Sequence, residues 1–272
     1  MGTVGLSFLF FSVVRSSILI RRKKIRICTL ASGSSGNSLF IQTERAKVLV
    51  DAGIGPRQIA VRLKALGIQI SEIDAVLVTH EHADHIAALP FLQVPVYVAS
   101  TTTFLWKDKV ENLREFDTGS TFYINDALIT PFPIPHDAID PVGFTIQTDH
   151  KKVGVVTDIG SVTALVRERL KGVDALVLEF NHDEEMLIYG PYPWDLKQRI
   201  RGRLGHLSNV DAAGLLGSLM HDGLRYVVLA HLSESNNTPK KAIEAASKVI
   251  KCADCTKLVV AQRRVLGEVL TL

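Results

Sequence analysis

The chain has little cysteine and no uninterrupted apolar run of transmembrane length. Its three cysteines, Cys28, Cys252 and Cys255, are too few and too unevenly placed for a disulfide framework, which fits a reducing compartment. Cys252 and Cys255 have C-x-x-C spacing, but no second pair or neighbouring histidine accompanies them. They are read as bystander thiols rather than a zinc or redox pair. The most apolar stretch, Val4 to Ile20, is broken by Arg15 and serines and falls short of the ~20 clean apolar residues a spanning helix needs. It ends on the basic run Arg21 to Lys24, the reverse of a signal peptide's charge order. Residues 1–24 are therefore expected to be a non-structural extension, with no stable membrane association and a cytoplasmic location.

Charge of one sign is also missing. The 272 residues carry 31 basic and 28 acidic side chains. Setting aside Arg15, Arg21, Arg22, Lys23 and Lys24 leaves 26 basic against 28 acidic over residues 26–272. Bulk charge thus gives no argument for nucleic acid, and any such argument must be local.

An apolar content of 47% against 22% charged residues suffices for a full-sized core and excludes a disordered or fibrous chain. From Ile25 onward, short strands, polar turns and helices alternate. Strands are expected at 26–30, 38–42, 47–50, 73–78, 95–99, 113–115, 121–124, 127–133, 143–147, 152–157, 176–179 and 225–230. Helices are expected at 56–66, 84–89, 162–170, 197–203 and 239–248. No repeat or linker divides residues 25–272, which predicts one α/β domain.

The most informative segment is Thr79-His80-Glu81-His82-Ala83-Asp84-His85, which sets three imidazoles and a ligand-type aspartate in an H-x-H-x-D-H pattern. It lies where a strand ends and a short helix begins, so chain reversal aims His80 and His82 one way and Asp84 and His85 another. One loop can then serve two metal ions. Three more ligand types follow strands directly: His136, Asp158 and His231. Ligands at neighbouring strand ends converge on one edge of a sheet sandwich, and Asp158 can bridge two cations.

These pieces, with Leu49-Val50-Asp51-Ala52-Gly53, resemble the metallo-β-lactamase fold hydrolases in the family's order. The resemblance implies a four-layer αβ/βα sandwich of the metallo-β-lactamase type. It implies two divalent ions, zinc or manganese, one held by His80, His82 and His136 and the other by Asp84, His85 and His231. Asp158 would bridge them, with Asp51 in support. True β-lactamases commonly carry cysteine or serine at the Asp158 position. Glyoxalase II has a helical C-terminal domain, for which the residues after His231 leave no room.

Two further segments resemble the RNase Z site. Leu176-Val177-Leu178-Glu179 ends a strand on a carboxylate, and Gly205-His206-Leu207-Ser208-Asn209 carries a histidine. The resemblance implies that Glu179 and His206 form a proton-donating pair, counted with Asp84 as the catalytic groups. Leu30 to Ser38, Phe180-Asn181-His182-Asp183 and Gly190-Pro191-Tyr192-Pro193-Trp194 resemble the YycJ (WalJ) subgroup. That likeness implies a metal-dependent 5′→3′ exonuclease acting on DNA. Alternatives are an RNA-processing nuclease, a hydrolase of a small ester, thioester or cyclic nucleotide, and a metal-binding regulatory protein without turnover. Substrate contacts are expected from Ser34, Ser35 and Asn37 in the Gly/Ser loop, from Ser233, and from Lys197, Arg199, Arg201 and Arg203 as a local basic strip. Tyr192 and Trp194 are candidates for stacking on bases. The sequence leaves the oligomeric state open, a dimer included.

Overall fold

A computed structural model describes residues 24–250, 252 and 255–272. The expected extension over 1–24 lies outside the described residues except for Lys24. The strands are β1 Arg26–Ala31, β2 Ser38–Gln42, β3 Lys47–Val50, β4 Ala75–Leu77, β5 Val96–Ala99, β6 Leu113–Phe116 and β7 Phe122–Ile124. They continue as β8 Ala127–Pro133, β9 Val142–Gln147, β10 Lys152–Val156, β11 Ala175–Glu179, β12 Tyr226–Ala230, β13 Lys257–Val260 and β14 Leu270–Thr271. The α-helices are α1 Pro56–Ala65, α2 Ala83–Ile86, α3 Ala164–Leu170, α4 Glu184–Tyr189, α5 Trp194–Arg201, α6 Asn209–Leu219 and α7 Pro239–Ser247.

Two mixed sheets form, in the orders β14-β1-β2-β3-β4-β5-β6 and β13-β12-β11-β10-β9-β8-β7. The apolar strands read as continuous runs because both faces are covered. Along β11, Ala175 and Val177 enter the core between the sheets while Leu176 and Leu178 pack outward, and β12 does the same with Val228 and Ala230 against Val227 and Leu229. The outward set meets Val166 and Leu170 of α3, Leu215 and Leu216 of α6, and Ala242 of α7. On the other sheet Leu49 and Val76 meet Ile59 and Leu63 of α1. The expected four-layer αβ/βα sandwich is the observed architecture.

Differences lie in secondary elements. Helices α4 and α6 and strands β13 and β14 were not anticipated; the exposed face of α6 mixes Val210 and Gly214 with Asp211 and Ser218, and β14 is only two residues long. The helix expected over 84–89 is α2, which stops at Ile86, and the one expected over 197–203 is α5, which begins at Trp194 and stops at Arg201 before Gly202. Cys252 and Cys255 are joined in a disulfide, which corrects the bystander reading. Cys28 is buried, and burial pushes its thiol up to about 11, so it is an unreactive core side chain.

Strands β3, β4, β5 and β6 run parallel, as do β10, β11, β12 and β13. Their carboxyl ends are where crossover connections leave, and where such sheets place ligands. Asp51, Asp158 and His231 follow β3, β10 and β12 and take left-handed conformations, with φ of 62°, 55° and 53°. Side chains rarely pay this backbone strain outside functional turns.

Beyond β3 the chain is seamed to α2. Asn37 N–H donates to the Asp84 carbonyl (2.7 Å), Ala52 N–H to His85 (2.8 Å) and Gly53 N–H to Asn37 (2.8 Å). A Cβ on Gly53 would overlap the Asp84 carbonyl, whereas one on Gly55 would meet nothing within 4 Å. Gly53→Ala is expected to cost about 1–3 kcal/mol by overpacking and to weaken divalent-metal retention by displacing Asp84. Gly55→Ala, at the N-cap of α1 where no side chain caps the helix, is expected to cost no more than about 1 kcal/mol. Urea unfolding of the two variants checks this; equal midpoints would contradict the tight seam.

Candidate metal centre

Strand ends and the α2 turn bring all seven expected ligands into one cluster. Ligand atoms of His80, His82 and His136 lie within 4.8 Å of one another, as do those of Asp84, His85 and His231. A third such group is His80, His85 and Asp158, and a fourth is Asp158, Glu179, His206 and His231. Asp158 therefore stands between the two histidine sets. Its Oδ2 is 3.3 Å from His85 Nε2 and its Oδ1 is 3.3 Å from His231 Nδ1.

The outward-facing ring nitrogens are fixed from behind. His85 Nδ1 is 2.7 Å from Asp51 Oδ2, and Asp51 also accepts from the Thr79 N–H (2.9 Å) and hydroxyl. Thr79 Oγ1 in turn lies 3.0 Å from His80 Nδ1, and His136 Nδ1 lies 3.2 Å from the Gly205 carbonyl. Each contact assigns the Nδ1 proton outward and leaves Nε2 facing the cluster. Buried atoms with no hydrogen-bond partner confirm the direction: His80 Nε2, His231 Nε2 and Asp158 Oδ2. Orphaned buried polar atoms are costly, and three of them in one cluster of imidazole and carboxylate fit a divalent cation.

Glu179 is fully buried at the end of β11 and uses both oxygens. Oε1 accepts from His206 Nδ1 and from His231 Nδ1, each at 2.8 Å. Oε2 accepts from Ile159 N–H (3.0 Å) and Leu207 N–H (3.1 Å). Burial alone would raise the carboxyl, but His206 and the bonds from His206 and His231 bring it down to about 2. Burial would depress His206, yet Glu179 raises it. Burial and the neighbouring His85 hold His80 well below its usual value, while His85 is driven the other way against burial by Asp158 and Asp51. His231 is likewise pushed up to about 10 against burial, by Asp158, Asp84 and Glu179.

The expected substrate residues divide. A cavity of about 200 Å³ beside His206 is lined by Ser34, Asp137, Asn181, Tyr192, Arg199 and Ser233, among others. Ser35 is exposed on the adjoining loop. Asn37 does not face this cavity: it is buried, its Oδ1 accepts from Gly33 N–H (2.8 Å), and its Nδ2 lies 3.3 Å from Asp84 Oδ2 and 3.0 Å from His85 Nε2. The expectation of substrate contact there is corrected to support of the α2 ligands. The basic strip is also not one surface. Lys197 and Arg201 line a separate groove with Trp194, and Lys197 Nζ is spent on the Ile188 and Gly190 carbonyls. Arg199 alone of the four lines the cavity, held to Asp137 at 2.6 Å, and Arg203 lies beyond the end of α5. Two residues along a helix turn the side chain by about 200°, which separates Arg199 from its neighbours at 197 and 201.

Sequence reasoning missed Thr79, Asp137 and the Gly205 carbonyl. Asp137 stands directly after His136, and its Oδ1 is 3.3 Å from His136 Nε2; only adjacency to a ligand could have signalled it.

A family model described as the β-lactamase superfamily domain matches residues 46–232. The chain belongs to that family, with the metallo-β-lactamase fold. It is 34% identical over 236 residues, 84% of this chain and 89% of the relative, to the protein named exodeoxyribonuclease YycJ of Bacillus anthracis. It is 35% identical over 224 residues, 78% of this chain and 83% of the relative, to exodeoxyribonuclease WalJ of Streptococcus pneumoniae serotype 2. The metallo-β-lactamase fold protein YhfI from Bacillus subtilis superposes with a TM-score of 0.71 over 92% of this chain and 100% of its own, at 17% identity.

The charge pattern has a direct consequence. Ligation needs neutral imidazoles, and against burial the neighbouring carboxylates raise His85 well above its usual value and His231 to about 10. Divalent-cation uptake is therefore expected to release protons and to tighten as pH rises. Calorimetric titration in buffers of different ionisation enthalpy measures the release; a heat independent of buffer would contradict it.

Proposed function

We propose that this chain is a dinuclear-metal-dependent phosphodiesterase, a 5′→3′ exonuclease acting on DNA. The observation that carries the reading is the placement of His206. Its imidazole is bonded to the buried Glu179, lies 3.9 Å from Asp158 and opens on the cavity beside the ligand cluster. The two similar curated proteins named exodeoxyribonucleases support DNA as the substrate, and the YycJ (WalJ) signature segments support the 5′→3′ direction. Among the described residues no helix is long and apolar enough to cross a membrane, and a cytoplasmic setting is part of this proposal.

In this reading His80, His82 and His136 would hold one cation and Asp84, His85 and His231 the other, with Asp158 available to both. When bound, the two divalent ions supply Lewis acidity toward phosphate oxygens and water. Zinc or manganese suits the imidazole and carboxylate donors. Asp51 and Thr79 orient the rings of His85 and His80. Arg199, Ser34 and Ser233 bind the strand at the cavity, and Tyr192 offers a face for a base. His206 gives its proton to the departing sugar oxygen, and Glu179 stabilises its charged form beforehand. Burial would lower the His206 pKa, and Glu179 raises it above its usual value.

Three outcomes follow. With zinc or manganese, 5′-labelled duplex DNA should yield labelled mononucleotide faster than RNA does; turnover of small esters alone would contradict the nuclease reading. Asp158→Ala should lower bound metal from two per chain, measured by elemental analysis, and an unchanged stoichiometry would remove the bridging role. His206→Ala should keep its metal and lose ~10²–10⁴-fold in rate on DNA. The loss should shrink on bis-p-nitrophenyl phosphate, whose leaving group needs no proton; loss of metal from His206→Ala would instead make it a ligand.

A further inference from the structure

The segment Phe180-Asn181-His182 has no part in the chemistry above, yet it lies between the proton donor and a ligand. On one side, Asn181 N–H donates to the Leu207 carbonyl (3.2 Å) and Asn209 N–H donates to the His182 carbonyl (2.7 Å). On the other, Phe180 N–H donates to Ala230 (2.9 Å) and Ser233 N–H donates to the Asn181 carbonyl (2.8 Å). The loop bearing His206 and the turn bearing His231 are thus laced to opposite edges of one strut. Asn237 Nδ2 adds bonds to the carbonyls of Phe180 (2.8 Å) and Asn181 (3.1 Å).

His231 itself has a left-handed backbone with φ of 53°, a conformation that a non-glycine residue keeps only where its surroundings impose it. Both of its backbone polar groups are taken by side chains. Its N–H donates to Ser32 Oγ (2.8 Å), and its carbonyl accepts from Asn181 Nδ2 (3.1 Å). Ser32 and Asn181 are both buried. Without these partners the turn would relax toward the ordinary helical or extended regions, and the imidazole would swing away from Asp84 and Glu179.

We infer that Asn181 and Ser32 are positioning residues that clamp the strained His231 backbone, and so set the affinity and geometry of the cation held by Asp84, His85 and His231. Asn181 also lines the cavity beside His206, so the same side chain borders the substrate. The inference rests on the metal-centre reading. A group that acts behind a ligand typically costs 10–100-fold in metal affinity when lost.

The test loads wild type, Asn181→Leu, Ser32→Ala and Ser32→Thr with cobalt(II). It measures affinity by chelator competition and coordination by the visible d–d spectrum. Asn181→Leu keeps the branched side-chain skeleton without the amide donor, and Ser32→Thr keeps the hydroxyl. The expected result is that Asn181→Leu and Ser32→Ala weaken one of the two cobalt ions by about 10–100-fold and alter its bands, while the other ion and Ser32→Thr match wild type. Wild-type affinity and spectrum in both Asn181→Leu and Ser32→Ala would overturn the clamp, as would equal weakening of both ions. Should Asn181→Leu fail to fold, Ser32→Ala and Ser32→Thr decide alone. Failure of wild type to bind cobalt would sink the metal centre itself, a separate result.

Discussion

The site turns on one buried carboxylate, Glu179, which accepts a hydrogen bond from His206 and another from His231 on the same oxygen. A fully buried carboxylate is costly unless its lone pairs are filled, and two backbone N–H groups fill the second oxygen. Because Oε1 is shared, the orientations of His206 and His231 are not independent. Charge-assisted bonds of this kind are short and strong, and the low dielectric around them strengthens both.

The fold makes that sharing possible. Ala175, Val177 and Glu179 lie on one face of β11, so the alternation that builds the core between the sheets also aims Glu179 into the mouth of the sandwich. Its neighbours β10 and β12 are parallel and in register with it, so Asp158 and His231 emerge one step beyond the same edge. The other sheet brings Asp51 and the His80 loop to that edge by the same rule. Two parallel strand sets meeting at one edge explain how residues from 51 to 231 reach one cluster.

The clustering of the seven candidate ligands was legible in the sequence because each follows a recognisable strand and because three of the imidazoles fall in one short motif. The strands of the sandwich were legible for a related reason: runs such as Val153 to Val156 have no other fate than burial on both faces. What escaped were features set by packing. Helix α6 shows only a weak polar stripe because its exposed face carries Val210 and Gly214 beside Asp211 and Ser218, and β13 needs β12 beside it to be a strand. The role of Asn37 depends on where α2 docks, and the division of Lys197, Arg199 and Arg201 depends on the rotation of a helix whose start at Trp194 was read three residues late. The strain at Asp51, Asp158 and His231 belongs to tertiary structure alone, since nothing in an Asp or His codes for a positive φ.

The central claim is that Glu179 governs the proton held by His206, and the pH dependence of kcat/KM on DNA tests it most directly. A proton donor works while protonated, so the rate falls as pH rises through its pKa. Glu179 raises that pKa. In Glu179→Gln, with metal content measured alongside, the alkaline limb is expected to move to lower pH relative to wild type. An alkaline limb at the same pH in both proteins, at equal metal content, would contradict the account.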